Sequence, residues 1–279
     1  MSQHMNPPPI DIQELSTQLC HRLWLMNDKP SLLQTLLLVP RYPNGTKNLR
    51  FSEQEARFAV VQLLNEGFFS KRGPIYYSVE TPTVGKYNFQ NKMKPSQPGP
   101  PDQDLESTSE PDGDSLPQSQ RSALTDMSLY RSREEGVPPF CNIEFKAGVA
   151  SLNAIYKDIV KLSGERRHER SLGVGWFFHL INHADRNTFK RLYENSTSAM
   201  LKLVSELVES DEVDIAFTYC VLTDTNHSER PSWSASAMLH LDGRDPNLAA
   251  NVNNALSWMK ADDPITSAKA ADWICEQYS

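Results

Sequence analysis

The stretch Pro139-Phe-Cys-Asn-Ile-Glu-Phe-Lys-Ala-Gly148 constrains this chain more than any other. It reads as a short buried strand that ends on an acid and an amine. Side chains two apart on a strand share a face, so Glu144 and Lys146 point into one pocket and Phe145 points away. This is the only (Asp/Glu)-x-Lys tripeptide in the chain, and its neighbours are apolar. The alternative is an ion pair on an exposed strand. Upstream, Ser122–Tyr130 reads as a second strand carrying Asp126, either a site acid or a strand-edge acid beside Thr125 and Ser128. Two carboxylates on neighbouring strands make a hard-oxygen site suited to Mg²⁺ or Mn²⁺. A lysine beside them can orient or deprotonate a water.

Helical patterns run through residues 11–38, broken by Pro30, and turn formers fill Pro40–Lys47. Ser52-Glu-Gln-Glu55 has the form of a capping box and opens a helix expected over Glu53–Glu66, with Gly67 as its stop. Ile75–Thr81 reads as a strand ending at Pro82, which Lys86–Phe89 continues. After the strands of Asp126 and Glu144, the apolar stripe Leu152, Ile155, Ile159 and Leu162 predicts a helix over Val149–Leu162. Val174–Ile181 is a near-continuous apolar run, as expected of a strand buried on both faces. A helix over Phe189–Val208, strands over Val213–Leu222 and Ser234–Leu241, and helices over Asn247–Met259 and Ser267–Gln277 complete the reading.

From Ser52 the expected order is helix, three strands, helix, strand, then helix and two strands. An Asp on the second strand and Glu-x-Lys on the third, within that order, resemble the signature of the PD-(D/E)XK nucleases. The resemblance covers roughly residues 52–182, and Thr125 stands where the family pattern has Pro. It implies an α/β fold with a restriction-endonuclease-like αβββαβ core and a mixed sheet, carrying helical N-terminal and α+β C-terminal additions. The expected organisation is a helical extension over 1–51, a nuclease-like domain over 52–242, and C-terminal helices over 243–279 packed on it.

The implied activity is Mg²⁺- or Mn²⁺-dependent phosphodiester hydrolysis of nucleic acid, DNA rather than RNA, as in restriction, repair or defence. Asp126 and Glu144 would be metal ligands, with the carbonyl of Phe145 as a third, and Lys146 would position water or neutralise phosphate. Lys157 and Lys161, one turn apart, either touch substrate phosphates or form a solvated face with Asp158 as counter-ion. Glu80 either joins the acidic cluster or is a solvated strand-end acid. Glu55 is an auxiliary acid only if its capping duty leaves it available. The additions would supply substrate contacts or a homodimer surface. A non-catalytic binding or interaction protein on the same fold is the alternative, and an accidental motif on another α/β fold is a third reading.

Other chemistries lack their residues. His179 and His183 on one strand would stand about 13 Å apart, too far to share a zinc ion, and no Cys pair completes such a site. Cys20, Cys141, Cys220 and Cys275 are scattered, as in a protein with reduced thiols. No Walker, Rossmann or G-x-S-x-G pattern is present. No apolar run approaches the roughly 20 residues of a membrane helix, so a cytoplasmic protein without membrane partners is expected. The formal charge of −7 argues against a nucleic-acid binder until its distribution is considered. Six acids and no Lys or Arg lie within 101–120, and removing those six leaves −1. The Pro-, Ser- and acid-rich segment over 90–120 reads as a disordered loop inside the domain.

Overall fold

Chain order and sheet order coincide. In the computed structural model, which describes residues 10–28, 51–67, 74–87, 121–168, 173–227 and 232–278, seven strands lie side by side in the order in which they are made. They are β1 (Tyr76–Tyr87), β2 (Arg121–Tyr130), β3 (Cys141–Ala147), β4 (Val174–Ile181), β5 (Glu212–Val221), β6 (Trp233–Asp242) and β7 (Ile274–Gln277). The sheet is mixed. β3, β4 and β5 are parallel to one another, and every other neighbouring pair is antiparallel. The fold is α/β. The expected loops over 40–47 and 90–120, and the helical pattern beyond Asp28, lie outside the described residues.

Parallel neighbours need crossovers. These are α3 (Leu152–His168), between β3 and β4, and α4 (Arg186–Val204), between β4 and β5. Both helices share one face of the sheet and one apolar cluster, with α5 (Leu248–Leu256), a 3₁₀ turn over Ser257–Lys260, and α6 (Pro264–Ala270). The opposite face carries α1 (Ile10–Asp28) and α2 (Glu53–Asn65), whose Leu15, Leu19, Leu23, Ala56, Ala59 and Val60 form a second cluster. β4 separates the two layers and is buried along its whole length. Trp176, Phe178 and Leu180 enter the α1/α2 cluster, and Phe177 and Ile181 enter the other. Burial on both faces accounts for the unbroken apolar run in its sequence. Among the described residues, no helix is long and apolar enough to cross a membrane.

Several boundaries differ from expectation for local reasons. The capping box forms: the Ser52 side chain accepts from Gln54 N, and Glu55 accepts from Ser52 N at 2.6 Å. The first strand runs through Pro82 to Tyr87, so the expected continuation at Lys86 joins it without a break, with a register shift between Pro82 and Lys86. An edge strand tolerates proline at such an irregularity. α3 begins at Leu152, after Gly148 at φ 72°, and runs past Leu162 to His168. Its Glu165 is buried.

The expected helix over Ser267–Gln277 is the larger correction. α6 is capped by Asp263, has Pro264 in its first turn and ends by Ala271. Asp272 then turns the chain at φ 59°, and Ile274–Gln277 pairs with β6. The C-terminal region therefore adds a strand to the sheet as well as helices. β6 offers an open row of backbone groups, and pairing there outweighs a weak local helical pattern.

Candidate active site

β2 and β3 pair only over Met127–Leu129 and Cys141–Ile143. Beyond Met127 and Ile143 they part, and Asp126 and Glu144, the next residue on each strand, flank the fork on one face. The Phe145 N–H donates to Asp126 Oδ2 at 2.9 Å and bridges the two strands. The resulting gap admits side chains from helices on both sides of the sheet.

From α2, Arg57 donates to Asp126 Oδ1 at 2.9 Å, and its other terminal nitrogen lies 3.6 Å from Glu80. Glu80 sits at φ 51° on β1 and is mostly exposed. Glu53, one turn before Arg57, lies 3.4 Å from the Lys146 ammonium. From α3, Lys161 donates to Glu144 Oε2 at 2.7 Å and to the Leu124 carbonyl at 3.1 Å. Asp158, 5% exposed, lies 2.8 Å from Lys146 Nζ and 3.5 Å from Lys161 Nζ. Lys146 also donates to the Phe145 carbonyl at 3.3 Å. Three buried or half-buried acids thus face three cations, and the Arg57–Asp126, Lys146–Asp158 and Lys161–Glu144 pairs each join a strand to a helix.

Burial sets the electrostatics. Glu144 is 1% exposed. Desolvation drives its carboxyl well above the usual range, Asp158 adds to this, and Lys161 opposes it. Asp158 is pushed up by the same desolvation, against the pull of Lys146 and Lys161. For Lys146, burial works to lower the pKa, but Asp158 and Glu53 outweigh it and hold the amine above the ordinary lysine range. Lys146 is therefore a fixed ammonium. His179 pairs in register with Lys146 on the adjoining strand. Its Nε2 contacts the Gly148 carbonyl at 2.6 Å, and burial pushes it down to about 4, so the ring is neutral at neutral pH.

The fork suits a hard divalent cation. Glu144 Oε1 is buried and has no hydrogen-bond partner among the described residues. No three Asp, Glu, His or Cys groups gather around one point among those residues. Mg²⁺ is commonly held by one or two carboxylates, with water and phosphate filling its shell, so Asp126, Glu144 and the Phe145 carbonyl form a compatible donor set. A cleft of about 480 Å³ opens beside Lys146, lined by Ser52, Glu53, Gln54, Ala147, Gly148 and Asn182.

Asp126, Glu144, Lys146 and Lys161, singled out in the sequence, are thus brought together, and Glu80 reaches the rim through Arg57. Lys157 is exposed on α3, one turn before Lys161. Glu55 is committed to the helix cap. Arg57, Glu53 and Asp158 were not anticipated as site residues. The available signal was spacing: Glu53 and Arg57 stand four apart on one helix face, and Asp158 follows Ile155 by three, on the border of the apolar stripe. Comparison of the chain with protein-family models, curated proteins and solved structures returns no match.

Proposed function

We propose that this protein is a metal-dependent phosphodiesterase acting on nucleic acid, DNA rather than RNA, of the PD-(D/E)XK type. The observation that carries the reading is the orphaned, buried Glu144 Oε1 near Asp126, with Lys161 on the other Glu144 oxygen and the Lys146 ammonium on Asp158. The order α2-β1-β2-β3-α3-β4, with three adjacent strands ahead of α3, supports it by its likeness to the restriction-endonuclease-like core.

Asp126, Glu144 and the Phe145 carbonyl would hold Mg²⁺ or Mn²⁺. The chemistry such an ion supplies when bound is activation of a water and withdrawal of charge from the phosphoryl oxygens. Lys146, kept protonated by Asp158, does not take a proton from water. Its task is to meet a phosphoryl oxygen with positive charge as negative charge grows there. Arg57 and Lys161 orient the two carboxylates, and Asp158 orients both lysines. The test is cleavage of plasmid and single-stranded DNA with Mg²⁺, with Mn²⁺ and with EDTA, for the wild type and Lys146→Ala. Cutting that needs metal and is lost in the variant is the expected result; wild-type protein that cuts neither substrate counts against the reading.

One observation favours the second reading, a non-catalytic binding protein. Arg57, Lys146 and Lys161 each already sit on a carboxylate, so the network is neutralised without a guest. Calorimetry with Mn²⁺ separates the two, since a binding module has no reason to hold the ion at Asp126 and Glu144.

A further inference from the structure

Resting on the nuclease reading, we propose that the divalent cation and the phosphate backbone load this site together, because Arg57 and Lys161 are resident counter-ions that a phosphodiester must draw away. Each of the two carboxylates a cation would need is already held: Arg57 donates to Asp126 at 2.9 Å, and Lys161 to Glu144 at 2.7 Å. A divalent cation arriving alone must compete with both resident charges. A phosphodiester offers those charges another anionic partner.

Both counter-ions are long side chains entering the fork from helices on opposite faces, and their stems need only swing outward to exchange a carboxylate for a phosphate oxygen. Arg57 already spans Asp126 and Glu80, so it has a path toward the rim. The unpartnered Glu144 Oε1 marks where the cation sits once the exchange has occurred. Linkage makes the effect reciprocal: whatever the duplex does for cation affinity, the cation does for duplex affinity.

The experiment is a Mn²⁺ titration by calorimetry of the whole chain, alone and with a phosphorothioate-substituted duplex, with Mn²⁺ binding to the duplex subtracted. Wild-type protein is expected to bind Mn²⁺ at least tenfold more tightly with the duplex than without it. Lys161→Met is expected to bind Mn²⁺ at least tenfold more tightly than wild type in the absence of duplex, with a reduced duplex effect. Arg57→Gln provides the same comparison if Lys161→Met does not fold. Equal wild-type affinities with and without duplex would overturn the coupling while leaving the nuclease reading intact. Absence of Mn²⁺ binding in every state would instead remove the nuclease reading, and the coupling with it.

Discussion

The Lys146 ammonium lies 2.8 Å from the carboxylate of Asp158, a residue of α3 that is almost wholly buried. The pair makes the lysine a permanent cation, and this distinguishes two roles for it. On the proposed nuclease reading, if charge is what matters, Lys146→Arg retains cleavage within about tenfold of wild type, and Lys146→Ala loses on the order of 10²–10³. A lysine acting as a base would make both variants equally inactive. Initial rates on plasmid DNA decide between these outcomes.

Lys161 is the partner of a carboxylate that has lost nearly all contact with water. Lys161→Met strands that charge and is expected to destabilise the fold by about 3 kcal/mol. Glu144→Gln added to Lys161→Met removes the stranded charge and recovers most of the loss. Urea denaturation of the two variants tests the pair, and a double variant no more stable than the single one would contradict it.

His179 gives the fold an acid sensitivity. The unfolded ring titrates near 6.5 and the buried ring at about 4, so the unfolded chain takes the proton first as pH falls. The stability due to the neutral ring is fully present above about pH 6.5 and drains away toward pH 4, by up to about 3 kcal/mol. The raised carboxyls of Glu144 and Asp158 work in the opposite direction over acidic pH, so the informative quantity is a difference. The stability of His179→Gln should fall less steeply than that of wild type between pH 6.5 and 4. Parallel curves would contradict the assignment.

Gly175 lies on β4 beneath α3. A Cβ there would stand 2.9 Å from the Leu162 Cβ, closer than packing allows. Gly175→Ala therefore displaces α3, the element that carries Asp158 and Lys161, at a cost of about 1–3 kcal/mol. Thermal melting should register the loss, and on the proposed nuclease reading cleavage falls with it although no site residue has changed.

Legibility in the sequence followed the physics of each element. β4 was readable because burial on both faces leaves an unbroken apolar signature, β3 because apolar residues bracket its Glu-x-Lys, and α2 because its capping box is a local pattern. Asp126, Glu144 and Lys146 were readable because period two puts an acid and an amine on one face. Asp158 was not, because a helical acid near two lysines has the same composition whether it lies in water or under a sheet. Arg57 was missed because nothing local tells an arginine that β2 and β3 part beneath it. β7 was missed for a related reason: four residues hold too little pattern, and their strand character comes from the open edge of β6.

The position of α1 bears on how the chain acquires its structure. Ser16 Oγ lies 2.9 Å from Thr218 Oγ1, Thr17 donates to Glu276 at 2.9 Å, and Trp24 donates to the Val221 carbonyl. These partners come some 200 to 260 residues later in the chain. During synthesis the apolar face of α1 therefore emerges long before the strands that cover it, while β1 to β4 can assemble from near neighbours. The α1 side waits for β5 to β7, and the α3/α4 side likewise draws on residues as late as Trp273. That makes α1 docking a late step, and the interval before it the period of greatest exposure to aggregation or chaperone capture.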